Sequence, residues 1–219
     1  MTDYTTKVNS SSLLPLQPKA TIRQIQSSNF FAQYMLKHRG CSEFYTYIEF
    51  LYAGLLESSP DVEAFVPHPF LIRVGKLLYT PSFYINSGGE KLVVHISDSE
   101  LPIHIKMPLY RYLKDKHFEF KEVVSKDVLD KKIQALNWLE LVRRLHTARD
   151  LDTSLEERQV LSFMLNNGKC RMDELIDPYN REGSQLTEIA ILRLINLHVI
   201  KAEMVEKRLH YGSMLWAQH

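Results

Sequence analysis

The feature that most constrains this chain is a series of short β-rich runs, each closed by a breaker. Val62 to Pro69, Phe70 to Val74, Leu77 to Ile85 and Lys91 to Ile96 are interrupted by Pro67, Pro69, Gly75 and the turn Asn86-Ser87-Gly88-Gly89. Runs of this length joined by tight turns predict an antiparallel meander. A helical period precedes them: Phe44, Tyr47, Ile48, Leu51, Leu55 and Leu56 recur between Glu43 and Leu56, and Ser58-Ser59-Pro60 supplies a stop. After them, Pro108 opens an amphipathic stretch through Tyr112 and Lys116. Phe118 to Val124 returns to strand character, and Ser125 caps a helix running to about Arg149. Helix, strands, helix, strand, helix predicts an α/β core, a mixed sheet flanked by helices.

The pattern changes at the polar stretch Asp150 to Ser154. Leu155 to Leu165 reads as a helix stopped at Asn166-Asn167-Gly168, and Arg171 to Ile176 as a short helix. Pro178 and Gly183 loosen a linker, and Ser184 caps a long helix carrying Leu186, Ile189, Ala190, Leu192, Leu194, Ile195 and Leu197. Ile200 to Val205, the turn Glu206-Lys207-Arg208, and Leu209 to Trp216 form a hairpin. That order is the order of a small winged helix-turn-helix domain. The expected organisation is a flexible arm over 1–20, a first domain over 21–150 and a winged helix over 151–219.

Composition bounds the partners. Hydrophobic residues make up 45% of 219, enough for two cores. Twenty-seven Lys and Arg against 26 Asp and Glu leave a net charge of +1, so any basic surface must be local. Cys41 and Cys170 form no paired zinc spacing and no disulfide framework, which predicts a reducing cytoplasm. Met1 to Ala20 lacks the basic flank and apolar core of a secretory signal. Leu71 to Tyr84 is cut by Arg73, Lys76 and Pro81, so no run approaches the roughly 20 residues that span a bilayer, and no membrane partner is expected.

Tyr47-Ile48-Glu49, Ser59-Pro60-Asp61-Val62, Phe65, Pro69, Tyr79-Thr80-Pro81-Ser82-Phe83 and Val93-Val94-His95-Ile96-Ser97 together resemble TnsA-type endonucleases, the end-cutting subunits of heteromeric transposases. The resemblance covers roughly Glu43 to Arg149, with Asn137 and Leu141 matching an N-x-x-x-L element of that family. It implies a restriction-endonuclease-like PD-(D/E)XK core. It also implies four site positions: a Glu on the first helix, an Asp after Tyr-Thr-Pro, and a (Glu/Gln)-x-Lys pair on the next strand. Here these are Glu49, Ser82, His95 and Ser97. Magnesium needs hard oxygen ligands, and a cation must balance charge on the attacked phosphate. A Ser hydroxyl in place of the Asp and a Ser in place of the Lys remove both, so the expectation is a catalytically inactive protein with no cofactor and no bound metal.

Three readings follow. The preferred one is a TnsA-like pseudo-nuclease that binds DNA or docks to transposase and its regulatory ATPase. The second is an active endonuclease using Mg²⁺ or Mn²⁺ at an altered site of Glu49, His95 and Asp98 or Glu100. The third is a winged-helix transcriptional regulator, a homodimer through its first domain. For DNA, the candidates are Gln185, Thr187 and Arg193 on the long helix and Lys207 and Arg208 at the wing tip, in a field weakened by Glu188, Glu203 and Glu206. Lys131, Lys132, Arg143, Arg144 and Arg149 read as a solvated face laced with Asp127, Asp130 and Glu140. The aromatic series Phe30, Phe31, Tyr34, Phe44, Tyr45, Tyr47 and Phe50 reads as core.

Overall fold

In the computed structural model, which describes residues 6–177 and 179–217, the β-rich runs divide between two sheets. The elements of the N-terminal part are β1 (Val8–Asn9), α1 (Ile22–Ser27), the hairpin of β2 (Phe31–Tyr34) and β3 (Cys41–Phe44), α2 (Tyr47–Ser58), β4 (Val62–Pro67), β5 (Ile72–Val74), β6 (Leu77–Tyr79), β7 (Phe83–Ser87), β8 (Glu90–Ser97), α3 (Ile103–Asp115), β9 (Glu119–Val124) and α4 (Ser125–Leu129). The main sheet has the order β4-β7-β8-β9. The first three strands are antiparallel, and β9 runs parallel to β8 after the α3 crossover. The chain is thus a mixed α/β protein. The expected single run Leu77 to Ile85 is cut at Thr80-Pro81-Ser82, because Pro81 has no N–H to give a ladder. Its first half pairs with β5 in the small sheet β1-β5-β6, and its second half enters the main sheet.

Alternation along the strands separates two apolar layers. On the α3 side, Phe70, Ile72, Val74, Tyr79, Val93, Leu109 and Leu113 form one cluster. On the other, Phe83 meets Tyr52 of α2, Phe65 of β4 and Phe44 of β3, with ring centroids 5.2, 5.9 and 6.3 Å away. The helix α3 begins at Ile103, five residues ahead of the expected start, and holds Pro108 in its interior. Full burial of Leu109 and Leu113 outweighs the missing N–H there.

The N-terminal segment departs from the expected flexible arm. Val8 and Leu13 pack on the α3-side cluster, Val8 pairs with Val74, and Leu16 N–H donates to Pro69 O at 3.0 Å. Burying these apolar residues offsets the entropy of ordering the strap.

Two compact units divide at Met1–Asp130 and Lys131–His219, ahead of the expected break at Asp150. Ser125 is the first helical residue rather than a cap, and its helix ends at Leu129. The C-terminal unit holds α5 (Lys132–Thr147), α6 (Ser154–Asn167), β10 (Cys170–Arg171), a 3₁₀ turn (Met172–Glu174), α7 (Arg181–Asn196), β11 (Ile200–Ala202) and β12 (Met214–Ala217). Helix α5 belongs here because it buries Trp138, Leu139, Leu141, Val142 and Leu145. The strands form an antiparallel sheet, β10-β12-β11. Gly168 ends α6 at φ 73°, a backbone region that disfavours a side chain, with its N–H on Met164 O. Asn180, not Ser184, caps α7, accepting from Gly183 N–H, so Gly183 lies within the helix. Pro178 lies outside the described residues. Among the described residues no helix is long and apolar enough to cross a membrane.

Candidate functional site

Glu49 is the third residue of α2 and half of a capping box. Its N–H donates to Thr46 Oγ1 at 3.1 Å, and its Oε2 accepts from the N–H groups of Thr46 and Tyr45 at 3.1 and 3.2 Å. The same oxygen lies 3.5 Å from His68 Nε2, and the Tyr45 ring stacks on the His68 ring at 4.5 Å. One carboxylate oxygen of this buried residue is therefore already occupied by the fold.

Ser82 is fastened to β8 on both sides of His95. Its N–H donates to Val94 O at 2.9 Å and its Oγ accepts from Ile96 N–H at 3.1 Å. His95 is half-buried. Burial pushes its imidazole below the usual range, while Glu122 and then Glu49 pull it upward, so both carboxylates lie within electrostatic reach. The structure thus brings Glu49, Ser82 and His95 to one end of the main sheet. Ser97 follows two residues after His95, but its hydroxyl donates to Ser99 O.

Four further residues complete this end, and of them the sequence pattern names Tyr79 alone, as the first residue of the Tyr-Thr-Pro motif. Glu122 of β9 stands directly opposite His95 in the parallel register. Its Oε2 accepts from Lys106 Nζ of α3 at 2.8 Å, and Lys106 also reaches Glu100 at 3.6 Å. Tyr79 lies with its ring 5.5 Å from that of His95, and burial, then the Glu122 charge, pushes its phenol far above the usual range. His68 adopts φ 47° and is held through its N–H on Ser82 O. Tyr79 Oη, His95 Nδ1, Glu122 Oε1 and His68 Nε2 are buried without a hydrogen-bond partner. Only strand register could have disclosed Glu122, and only long-range packing His68.

These residues do not fit a magnesium-dependent nuclease. Two of the four family positions are hydroxyls engaged with backbone, and Glu100, offered as a third ligand with Glu49 and His95, turns to Lys106. Among the described residues no three His, Cys, Asp or Glu are placed to hold a metal ion.

In the C-terminal unit, Gln185 is exposed and Thr187 half-buried on α7. Arg193 is engaged within its own unit. Its guanidinium donates to Thr153 Oγ1 at 2.6 Å, Leu151 O at 2.7 Å and Ala148 O at 3.1 Å, tying α7 to the segment before α6. Lys207 is exposed and pairs with Glu203 at 3.0 Å. Arg208 is exposed beside a cleft of about 280 Å³ that also includes Glu140, Tyr211 and the Arg144–Glu188 pair, 2.6 Å apart. The Asn137 side chain holds a neighbouring loop in place. Its Nδ2 donates to Met204 O and Lys207 O, both at 2.7 Å, and its Oδ1 accepts from Leu209 N–H at 3.0 Å. No protein-family model matches this sequence, and no curated protein matches it significantly.

Proposed function

We propose that this chain is a TnsA-like transposition-associated protein, cytoplasmic and without nuclease activity, that works by docking to transposase components. The observation that carries this reading is the commitment of the Ser82 and Ser97 hydroxyls to backbone partners at the positions where a nuclease needs an anionic ligand and a cation. The order α2, three antiparallel strands, α3, parallel β9 supports a PD-(D/E)XK-type core, and α6, β10, 3₁₀ turn, α7, β11, β12 supports a winged helix. Docking to protein is preferred over DNA because Arg193 and Lys207, two of the three candidate cations, are already paired within the unit.

Incubation with supercoiled plasmid and Mg²⁺ or Mn²⁺ is expected to leave the plasmid intact. Nicking that disappears in Glu49→Ala overturns the proposal. A gel shift at low salt that weakens in the Lys207→Ala, Arg208→Ala double variant moves the reading from protein docking to DNA holding.

A further inference from the structure

The two edges of the main sheet are finished differently. At one, β4 has a register irregularity between Val62 and Ala64 and ends at Pro67, and its Phe65 N–H donates at 3.0 Å to Lys37 O in the loop between β2 and β3. Bulges, prolines and covering loops are the devices that keep an edge strand from pairing with another chain. At the opposite edge β9 has none of them. It keeps unbroken register with β8 from Glu119 to Val124 and contains no proline. Alternate residues of such a strand turn their N–H and C=O away from the neighbour, and from Glu119 to Glu122 no backbone group has a hydrogen-bond partner beyond β8 among the described residues.

The charges along β9 decide what can pair there. Glu119 and Lys121 share one face and are both exposed, and neither has an ion-pair partner among the described residues. Phe120 and Glu122 lie on the other face. Two copies that pair antiparallel about a two-fold axis normal to the sheet keep like faces together, so the axis must pass through a residue. An axis at Glu119, Lys121 or Glu122 sets a charge directly opposite itself, which opposes pairing. An axis at Val123 or Val124 runs the partner strand into α4, which begins at Ser125. An axis at Phe120 does neither. It sets Glu119 opposite the partner's Lys121 and Lys121 opposite the partner's Glu119, with Phe120 facing its own copy.

We propose that β9 pairs antiparallel with β9 of a second copy of this chain about Phe120, joining two four-stranded sheets into one. The pairing uses the N-terminal unit alone and none of the family's site positions, so it does not depend on the transposition reading. His117, at φ 61°, and α4 bound the strand at its two ends, which makes the contact small and the association weak and reversible.

The test is sedimentation of the full chain between about 10 and 500 µM at about 50 mM salt, where exposed charges are least screened. A reductant prevents cross-linking through the exposed Cys41. Reversible dimerisation is expected within that range. Glu119→Lys and Lys121→Glu each set like charges opposite one another twice in the dimer, and each alone should weaken association at least about tenfold. An equimolar mixture of the two variants restores both opposite-charge pairs and should associate again as a heterodimer. Because both side chains are exposed, both variants should keep the wild-type melting temperature. A chain that stays monomeric up to about 500 µM, a dimer that persists in both single variants, or a mixture that fails to associate overturns the proposal.

Discussion

The polar groups of the two units are treated in opposite ways. In the C-terminal unit the Asn137 amide makes three hydrogen bonds, to Met204, Lys207 and Leu209, and the Arg193 guanidinium satisfies Thr153, Leu151 and Ala148. At the end of the main sheet in the N-terminal unit, Tyr79 Oη, His95 Nδ1, Glu122 Oε1 and His68 Nε2 are buried without such partners. A satisfied polar network specifies one geometry, whereas an unsatisfied one carries a desolvation cost that packing elsewhere must offset.

The largest effect that would undo this contrast is at Asn137. Asn137→Ala should cost about 3 kcal/mol in chemical denaturation, since two carbonyls and one N–H lose their partner. A loss under about 1 kcal/mol would mean that the loop finds water instead. Arg193→Ala should cost about 2 kcal/mol, and Arg193→Lys should recover little, because a single ammonium cannot reach three acceptors in a fork.

The pH response bears on the other unit. Burial holds the folded-state His95 below its unfolded value of 6.5, so the unfolded chain takes up the proton first. Stability should therefore fall as pH drops from about 6.5 and level off below the folded-state value. Replacing His95 with Gln should flatten that part of the profile. The smallest effect is expected at Tyr79→Phe, which removes an unpartnered hydroxyl and should leave stability within about 0.5 kcal/mol of wild type or raise it. A large loss there would show that the hydroxyl has a partner in solution.

Where a feature is local, the sequence discloses it. Ser58-Ser59-Pro60 ends α2, Gly168 ends α6, and the turn at Ser87-Gly88-Gly89 separates β7 from β8, whereas Glu43 and Phe44, read as the start of the α2 period, belong to β3 because they pair with Ala32 and Phe31 of β2. Features set by distant partners were not legible. Val8 pairs with Val74, which turns an apparent arm into a strand, and Pro81 sends the two halves of one apolar run into different sheets. The site follows the same rule. Glu49, Ser82 and His95 do come to one sheet end, but the Glu122 position depends on a parallel register, and the role of Arg193 depends on Thr153, forty residues away in sequence.

The way Asn137 grips the segment between β11 and β12 has a consequence for engineering the tip. Asn137 holds that segment through backbone atoms alone, so the exposed side chains of Val205, Glu206 and Arg208 can change without removing any of the three hydrogen bonds. New contacts at the tip can be sampled without rebuilding the domain, provided residue 137 is left alone.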